Sequence, residues 1–270
     1  MTAQGRTMAA MCISLGDYDN DGLLDLYISD FQGSPDHLFH NVGGGLFDDV
    51  SYRSGIGAPT LNVLSFGGGF FDYDNDGRLD IFIANGHVYP DISKLIPSVT
   101  YRQINTLFYN NGNGAFTDVT RQSGGGFTVP YAGRGVAFAD FDNDGRVEMV
   151  VANNGSEPLL LHNDGPCQNH FVNFKLVGVR SNRDACGTRV TLRAGGLSQI
   201  REVMGGGSYL SQSDLRLHFG LGSSAQADEV EVRWPSGARQ LFRGVAADRF
   251  YRIEEGSARL ELQEFRPHRA

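Results

Sequence analysis

Short apolar runs recur along the 270-residue chain, and three of them are entered directly from a cluster of acids. The stretches "GDYDNDGLLDLYISD" from Gly16, "FDYDNDGRLDIFIAN" from Phe71 and "ADFDNDGRVEMVVAN" from Ala139 align without gaps. The acidic motif starts at Asp17, Asp72 and Asp140, at spacings of 55 and 68 residues. A second element keeps step with it: "HLFHNVGGGLFDDVSYRSG" from His37, "TLFYNNGNGAFTDVTRQSG" from Thr106 and a degenerate "LLLHNDG" from Leu159. Each unit therefore reads as acidic loop, apolar strand, connection, short LFxN strand, Gly-rich hairpin turn and an alternating strand with FxDV. Asn-Gly and Gly-Gly supply the positive φ of tight hairpins, and Val, Ile, Leu, Phe and Tyr suit strands. A unit of about four short strands in series predicts β-propeller blades, about three of them. The second unit carries a loop excursion at "HVYPDISKLIPSVTYRQ". No long helix is expected.

Beyond Gly165 the repeat stops, but period-2 patterning continues. Candidate strands are "HFVNFKLVG", "GTRVTLRAG", "QIREVMG", "LRLHFGLG", "DEVEVRWPSG", "QLFRGV", "RFYRIEEG" and "ARLELQEF". Their spacing predicts a compact β-sandwich or barrel. Charge divides the chain at the same place. Residues 1–166 hold 8 Lys and Arg against 20 Asp and Glu, whereas 167–270 hold 15 against 11. Two domains are expected, 1–166 and 167–270. The basic side chains of the second are interspersed with acids, which argues against nucleic acid as a partner.

The dense acids call for a cation. In the first loop Asp17, Asp19, Asp21 and Asp25 occupy positions 1, 3, 5 and 9. Gly22 at position 6 permits a sharp bend, which turns the Leu23 carbonyl at position 7 inward. The second loop offers Asp72, Asp74, Asp76, the Arg78 carbonyl and Asp80. The third offers Asp140, Asp142, Asp144, the Arg146 carbonyl and Glu148. An all-oxygen donor set of this size suits Ca²⁺, whereas Mg²⁺ demands strict octahedral geometry and keeps its waters. An EF-hand is excluded. Its position 12 requires Glu and helices flank it, but Ile28, Ile83 and Val151 stand there, inside strand-like "LYIS", "IFIA" and "MVVA". About three Ca²⁺ sites are expected, each pinning the entry to a strand. Twelve of the 31 acidic residues belong to these loops, and three ions would bring the net charge from -8 to -2.

These elements resemble FG-GAP/VCBS-type repeats, the calcium-loop blades also used in integrin α-chain propellers. The later "VGVRSNRDACGTRVTLRAGG", "GGGSYLSQSDLRLHFGLG" and "DEVEVRWPSG" resemble the ASPIC/UnbV domain. Repeats followed by that domain are similar to the cartilage acidic protein family. The resemblance covers nearly the whole chain, and it implies an extracellular or periplasmic calcium-binding module for adhesion, with a protein or glycan partner. The start "MTAQGRTMAAMCISLGDYD" shows no signal peptide, and no apolar run reaches membrane-span length. A propeller needs at least about four blades. The expectation is therefore a C-terminal portion of a longer protein, or blades completed by a partner or a second copy.

Other constellations are weaker. "GLGSSA" from Gly220 lacks room for the helix of a dinucleotide site. "GGGSYLSQSD", with Ser208, Ser211 and Asp214, reads as a Gly-rich turn whose hydroxyls could meet a sugar or a partner. His87 and His218 read as packed histidines, and Trp234 as a core anchor before a Pro-Ser-Gly turn. Three cysteines, Cys12, Cys167 and Cys186, exclude a full disulfide framework. Cys167 could pair with Cys186 in an oxidising compartment, or all three could stay thiols. The function expected is non-catalytic binding. The alternatives are a calcium-dependent enzyme with His87 or Tyr89 at a pocket on the propeller face, and a truncated product without activity.

Overall fold

A computed structural model describes residues 5, 7–165 and 168–265. The chain is all-β, five small sheets in a propeller arrangement. The first sheet is a meander of β1 (Ile13–Gly16), β2 (Asp25–Ile28), β3 (His37–Gly43) and β4 (Leu46–Asp49). The second repeats it with β5 (Ser65–Phe71), β6 (Asp80–Asn85), β7 (Thr106–Asn110) and β8 (Phe116–Asp118). Among the described residues the third has β9 (Gly133–Ala139), β10 (Glu148–Asn153) and β11 (Leu159–Leu161) only. The expected excursion of the second unit is present, and contains one short helical turn at Ile92–Leu95.

Period 2 explains how these sheets stack. In β6 every residue is buried. Ile81 and Ile83 join Tyr27, Leu38 and Phe116 in a core between the first and second sheets, while Phe82 and Ala84 join Phe138, Met149 and Val151 in a core between the second and third. Alternate side chains point to opposite faces, so a strand covered on both reads as a continuous apolar run. The first strands, β1, β5 and β9, lie side by side. β5 can pack there because it is glycine-rich: a Cβ at Gly67 would collide with the Arg134 carbonyl oxygen on β9, and one at Gly69 would stand 2.8 Å from Ser14 Oγ on β1.

Beyond the repeats come β12 (His170–Val177), β13 (Arg189–Ala194), β14 (Leu197–Glu202), β15 (Leu217–Gly222), β16 (Gln226–Arg233), β17 (Arg239–Ala246), β18 (Arg249–Glu254) and β19 (Leu260–Gln263). All eight candidate strands form. They make two four-stranded sheets, ordered β15-β12-β18-β19 and β14-β13-β16-β17, sharing one apolar core. Trp234 is 2% exposed within it, as expected of an anchor. Five sheets correct the count of about three. The last two carry neither an acidic loop nor an LFxN element, so counting repeats could not register them. Cys167, and with it the pairing of Cys167 with Cys186, lies outside the described residues. Cys12 is a buried thiol whose sulfur donates to the Gly68 carbonyl at 3.2 Å.

Candidate metal centres

The three acidic loops join β1 to β2, β5 to β6 and β9 to β10 at one end of the sheets. Each bends in the same way. The Asn at position 4 (Asn20, Asn75, Asn143) takes φ of +59 to +60°, and the Gly at position 6 takes +86 to +93°. A left-handed residue is cheap for Asn and Gly and costly for others, so the Asn-Asp-Gly core of the motif is a bend as well as a donor set.

Backbone amides hold the carboxylates in place. In the first and third loops one oxygen of position 1 accepts the position-5 amide, at 3.0 Å in both. The other accepts the glycine amide, at 3.1 and 3.0 Å, and Asp72 does the same at 3.0 Å. The position-5 carboxylates Asp21, Asp76 and Asp144 accept the amides of Leu23, Arg78 and Arg146 at 2.8, 2.8 and 2.9 Å. The position-9 carboxylate reaches back to the position-2 amide, from Tyr18, Tyr73 or Phe141, at 3.2, 3.3 and 2.8 Å.

Among the described residues the ligand atoms of Asp17, Asp19 and Asp21 lie within 4.8 Å of one another, as do those of Asp72, Asp74 and Asp80, and of Asp140, Asp142 and Asp144. Two further groups of that kind link position 9 to a histidine: Asp19, Asp25 and His40, and Asp142, Glu148 and His162. Asp76 is in none of these groups. Its Oδ2 accepts a hydrogen bond from Arg78 Nη1 at 2.6 Å, as Asp144 Oδ2 accepts one from Arg146 Nε at 2.8 Å. The carbonyls of Leu23, Arg78 and Arg146 accept no hydrogen bond among the described residues, so they stand available as the seventh-position donors.

Burial raises these acids. Desolvation, reinforced by neighbouring carboxylates, pushes Asp25, Asp72 and Glu148 up to about 7 and Asp17, Asp74 and Asp140 up to about 6; Asp80 is also well above the carboxylate range. Asp72 Oδ1 and Glu148 Oε1 are buried with no hydrogen-bond partner. A buried oxygen without a donor is costly, and a cation among such oxygens relieves both that cost and the repulsion. The donor set therefore fits a hard divalent ion.

Several contributors were not read from the sequence. The Asn of LFxN is one. Its Nδ2 donates to the position-8 carbonyl of its own loop (Asn41 to Leu24 and Asn110 to Leu79, both 2.9 Å) and to the position-2 carbonyl of the preceding loop (Asn110 to Tyr18, 2.8 Å; Asn163 to Tyr73, 2.7 Å). Position 4 forms a second chain of links. Asn20 donates to the Gly77 carbonyl at 3.2 Å, Asn75 to that of Gly145 at 2.8 Å, and Arg216 of the later segment donates to Asn143 Oδ1 at 2.7 Å. The recurrence of Asn41, Asn110 and Asn163, in phase with the loops, was the available signal. His40 and His162 share the position before it, where the middle copy has Tyr109. Arg216 had no local signal.

The "GGGSYLSQSD" serines are half-buried and hydrogen-bonded, and Ser211 Oγ donates to the Tyr209 carbonyl at 2.9 Å. Ser208 Oγ accepts the amides of Gly68 and Val136 at 3.3 Å each, and Ser213 Oγ that of Phe138 at 3.1 Å, so the segment lies along β5 and β9. His87 is 1% exposed and packs on Phe31 and Tyr89, as a packed histidine should. His218 Nε2 donates to Asn75 Oδ1 at 2.6 Å. No helix among the described residues is long and apolar enough to cross a membrane.

Comparison with known proteins agrees with the motif and the repeat. The FG-GAP-like repeat model matches residues 17–83 and 72–151, and the ASPIC and UnbV model matches residues 178–260. Cartilage acidic protein 1 of Homo sapiens is 26% identical over 284 residues, covering 87% of this chain and 42% of that protein. The Mus musculus protein of the same name is 25% identical over 294 residues, covering 90% and 44%. The chain thus spans less than half the length of these relatives. The crystal structure of the V. cholerae biofilm matrix protein Bap1 aligns at 13% identity with a TM-score of 0.29, over 86% of this chain and 40% of that one, too slight a likeness to carry an argument. By its repeats and the domain that follows them, the chain belongs to the FG-GAP-like repeat family, with an ASPIC and UnbV domain behind the repeats.

Proposed function

We propose that this chain is a calcium-binding, extracytoplasmic binding module, non-catalytic, in which about three Ca²⁺ ions stabilise the repeats. The observation that carries the reading is the pair of buried, partnerless carboxylate oxygens, on Asp72 and Glu148, within loops of one repeated geometry. The ligands proposed are Asp17, Asp19, Asp21, Asp25 and the Leu23 carbonyl; Asp72, Asp74, Asp76, Asp80 and the Arg78 carbonyl; and Asp140, Asp142, Asp144, Glu148 and the Arg146 carbonyl. Bound calcium supplies positive charge among acids that otherwise repel, and the loop amides keep those acids oriented for it. On this reading the calcium loops belong to the three sheets within 1–166. Residues 167–270 form the ASPIC/UnbV domain, their paired sheets a sandwich-like unit around one core. Kinship with cartilage acidic protein 1 supports an extracellular or periplasmic setting and a protein or glycan partner.

The test compares thermal unfolding in excess Ca²⁺ and in EDTA. Each site held at a hundred times its dissociation constant adds about 2.7 kcal/mol to stability, so the midpoint rises by several degrees. An unchanged midpoint, with no calcium by elemental analysis, sinks the metal reading. A glycan and protein array with and without Ca²⁺ addresses the partner, and uniform silence counts against a binding role.

A further inference from the structure

The third sheet stops one strand short. In the first two sheets a fourth strand, β4 or β8, lies outside the LFxN strand. Val50 and Val119 donate their amides to the carbonyls of Leu38 (2.8 Å) and Leu107 (2.9 Å). Ser51 and Thr120 hydroxyls accept the amides of the same two leucines, both at 3.0 Å. Leu38 and Leu107 are consequently 0% and 3% exposed. Their counterpart in "LLLHNDG" is Leu160, and it is 58% exposed, with no strand beyond β11 among the described residues.

The place of the missing strand is already shaped. In the second sheet Phe116 leaves β8 to pack on Tyr18, rings 5.6 Å apart, within the core that holds Leu38, Val50 and Ile56. Its amide donates to the Ser54 carbonyl at 2.7 Å, beside Gly55 at φ +92°. One unit on, the corresponding residues are Tyr73, Leu107, Val119, Ser123 and Gly124, the last at φ +93°. They line a cleft of about 650 Å³ floored by Phe127, Met149 and Leu161. The Ser123 carbonyl accepts no hydrogen bond among the described residues, and nothing stands within 4 Å of where a Gly124 Cβ would be. The same seat that holds Phe116 recurs here without an occupant among the described residues.

We infer that this cleft and the β11 edge form a strand-acceptor site. It takes an extended peptide segment of the pattern Gly-x-Phe-x-Asp-Val, the phenylalanine seated against Tyr73, Leu107 and Val119, the backbone pairing with Leu160 and the Ser123 carbonyl. Strand addition of this kind draws affinity from main-chain bonds and specificity from the side-chain pocket. The occupant is a strand of another polypeptide.

The experiment adds a synthetic peptide, "GNGAFTDVT" (the sequence of residues 112–120), to the full chain in excess Ca²⁺. Saturable binding by calorimetry, a raised melting midpoint and slowed hydrogen exchange at Leu160 are expected. Replacing the peptide's phenylalanine by alanine should weaken binding at least tenfold, and Leu160→Asp in the protein, at an exposed site that folding tolerates, should do likewise. No binding at millimolar peptide overturns the inference, as does binding indifferent to both substitutions. A dimer that the peptide dissociates would seat a second copy there and overturn the foreign strand. Calcium dependence is read separately from the EDTA melt, so failure of either reading leaves the other distinguishable.

Discussion

Asn110 shows how much one side chain does in this fold. It is fully buried; its Nδ2 reaches both Tyr18 and Leu79 carbonyls, and its Oδ1 accepts the Gly112 amide at 2.9 Å. A buried polar group left unpaired costs about 1–3 kcal/mol. Asn110→Ala should therefore lose roughly 2–4 kcal/mol in urea unfolding, while Asn111→Ala next door, at an exposed site, stays within about 0.5 kcal/mol. Equal losses would refute the staple. The loop acids make a pH prediction. Without metal, Asp25, Asp72 and Glu148 sit near 7 in the fold because burial disfavours their charge, against about 4 in the unfolded chain. A pKa raised by folding contributes stability below the unfolded value and loses it as pH climbs through the folded one. The EDTA form should thus weaken between about pH 4 and 7. Calcium needs the ionised acids, so the gap between Ca²⁺ and EDTA midpoints should be small at pH 5 and widest above 7.5. A gap independent of pH would count against carboxylate ligation.

At the scale of elements, what is local was legible. The loop positions, the strands behind them and the eight later strands follow from period 2, from glycine placement and from acid spacing, all within a dozen residues. What joins elements was not. Asn110 meets Tyr18 across 92 residues, and Arg216 meets Asn143 across 73, distances at which sequence pattern carries no information. Glu255 is a second case. Its Oε2 accepts the amides of Val179, Arg180 and Ser181 at 2.8, 2.7 and 2.7 Å, and its Oε1 accepts the Ser236 hydroxyl. Burial acts to raise it, but these donors hold it down at about 2. "RIEEG" gave no hint that Glu255, and not Glu254, clamps the "VRSN" turn. Glu255→Ala leaves three amides without their acceptor and should destabilise by roughly 2–4 kcal/mol, against under 1 kcal/mol for Glu254→Ala, an exposed ion pair with Arg252. Matched effects by chemical denaturation would refute the clamp.

For the whole molecule, the asparagine links from loop to loop make the sheets a one-dimensional array in which each unit leans on the next. In such arrays stability is a sum of weak intrinsic terms and strong nearest-neighbour terms. Damage to one unit then does not stay where it was made. Asp74→Asn in the middle loop should lower the melting midpoint of the entire repeat segment as one transition in calorimetry, and broaden calcium titration at the flanking loops. Two separated transitions would mean the units melt independently. The same coupling bears on descent: because each unit's asparagines and phenylalanine sit in its neighbour's interior, a substitution at one of them is judged by the fit of two units at once.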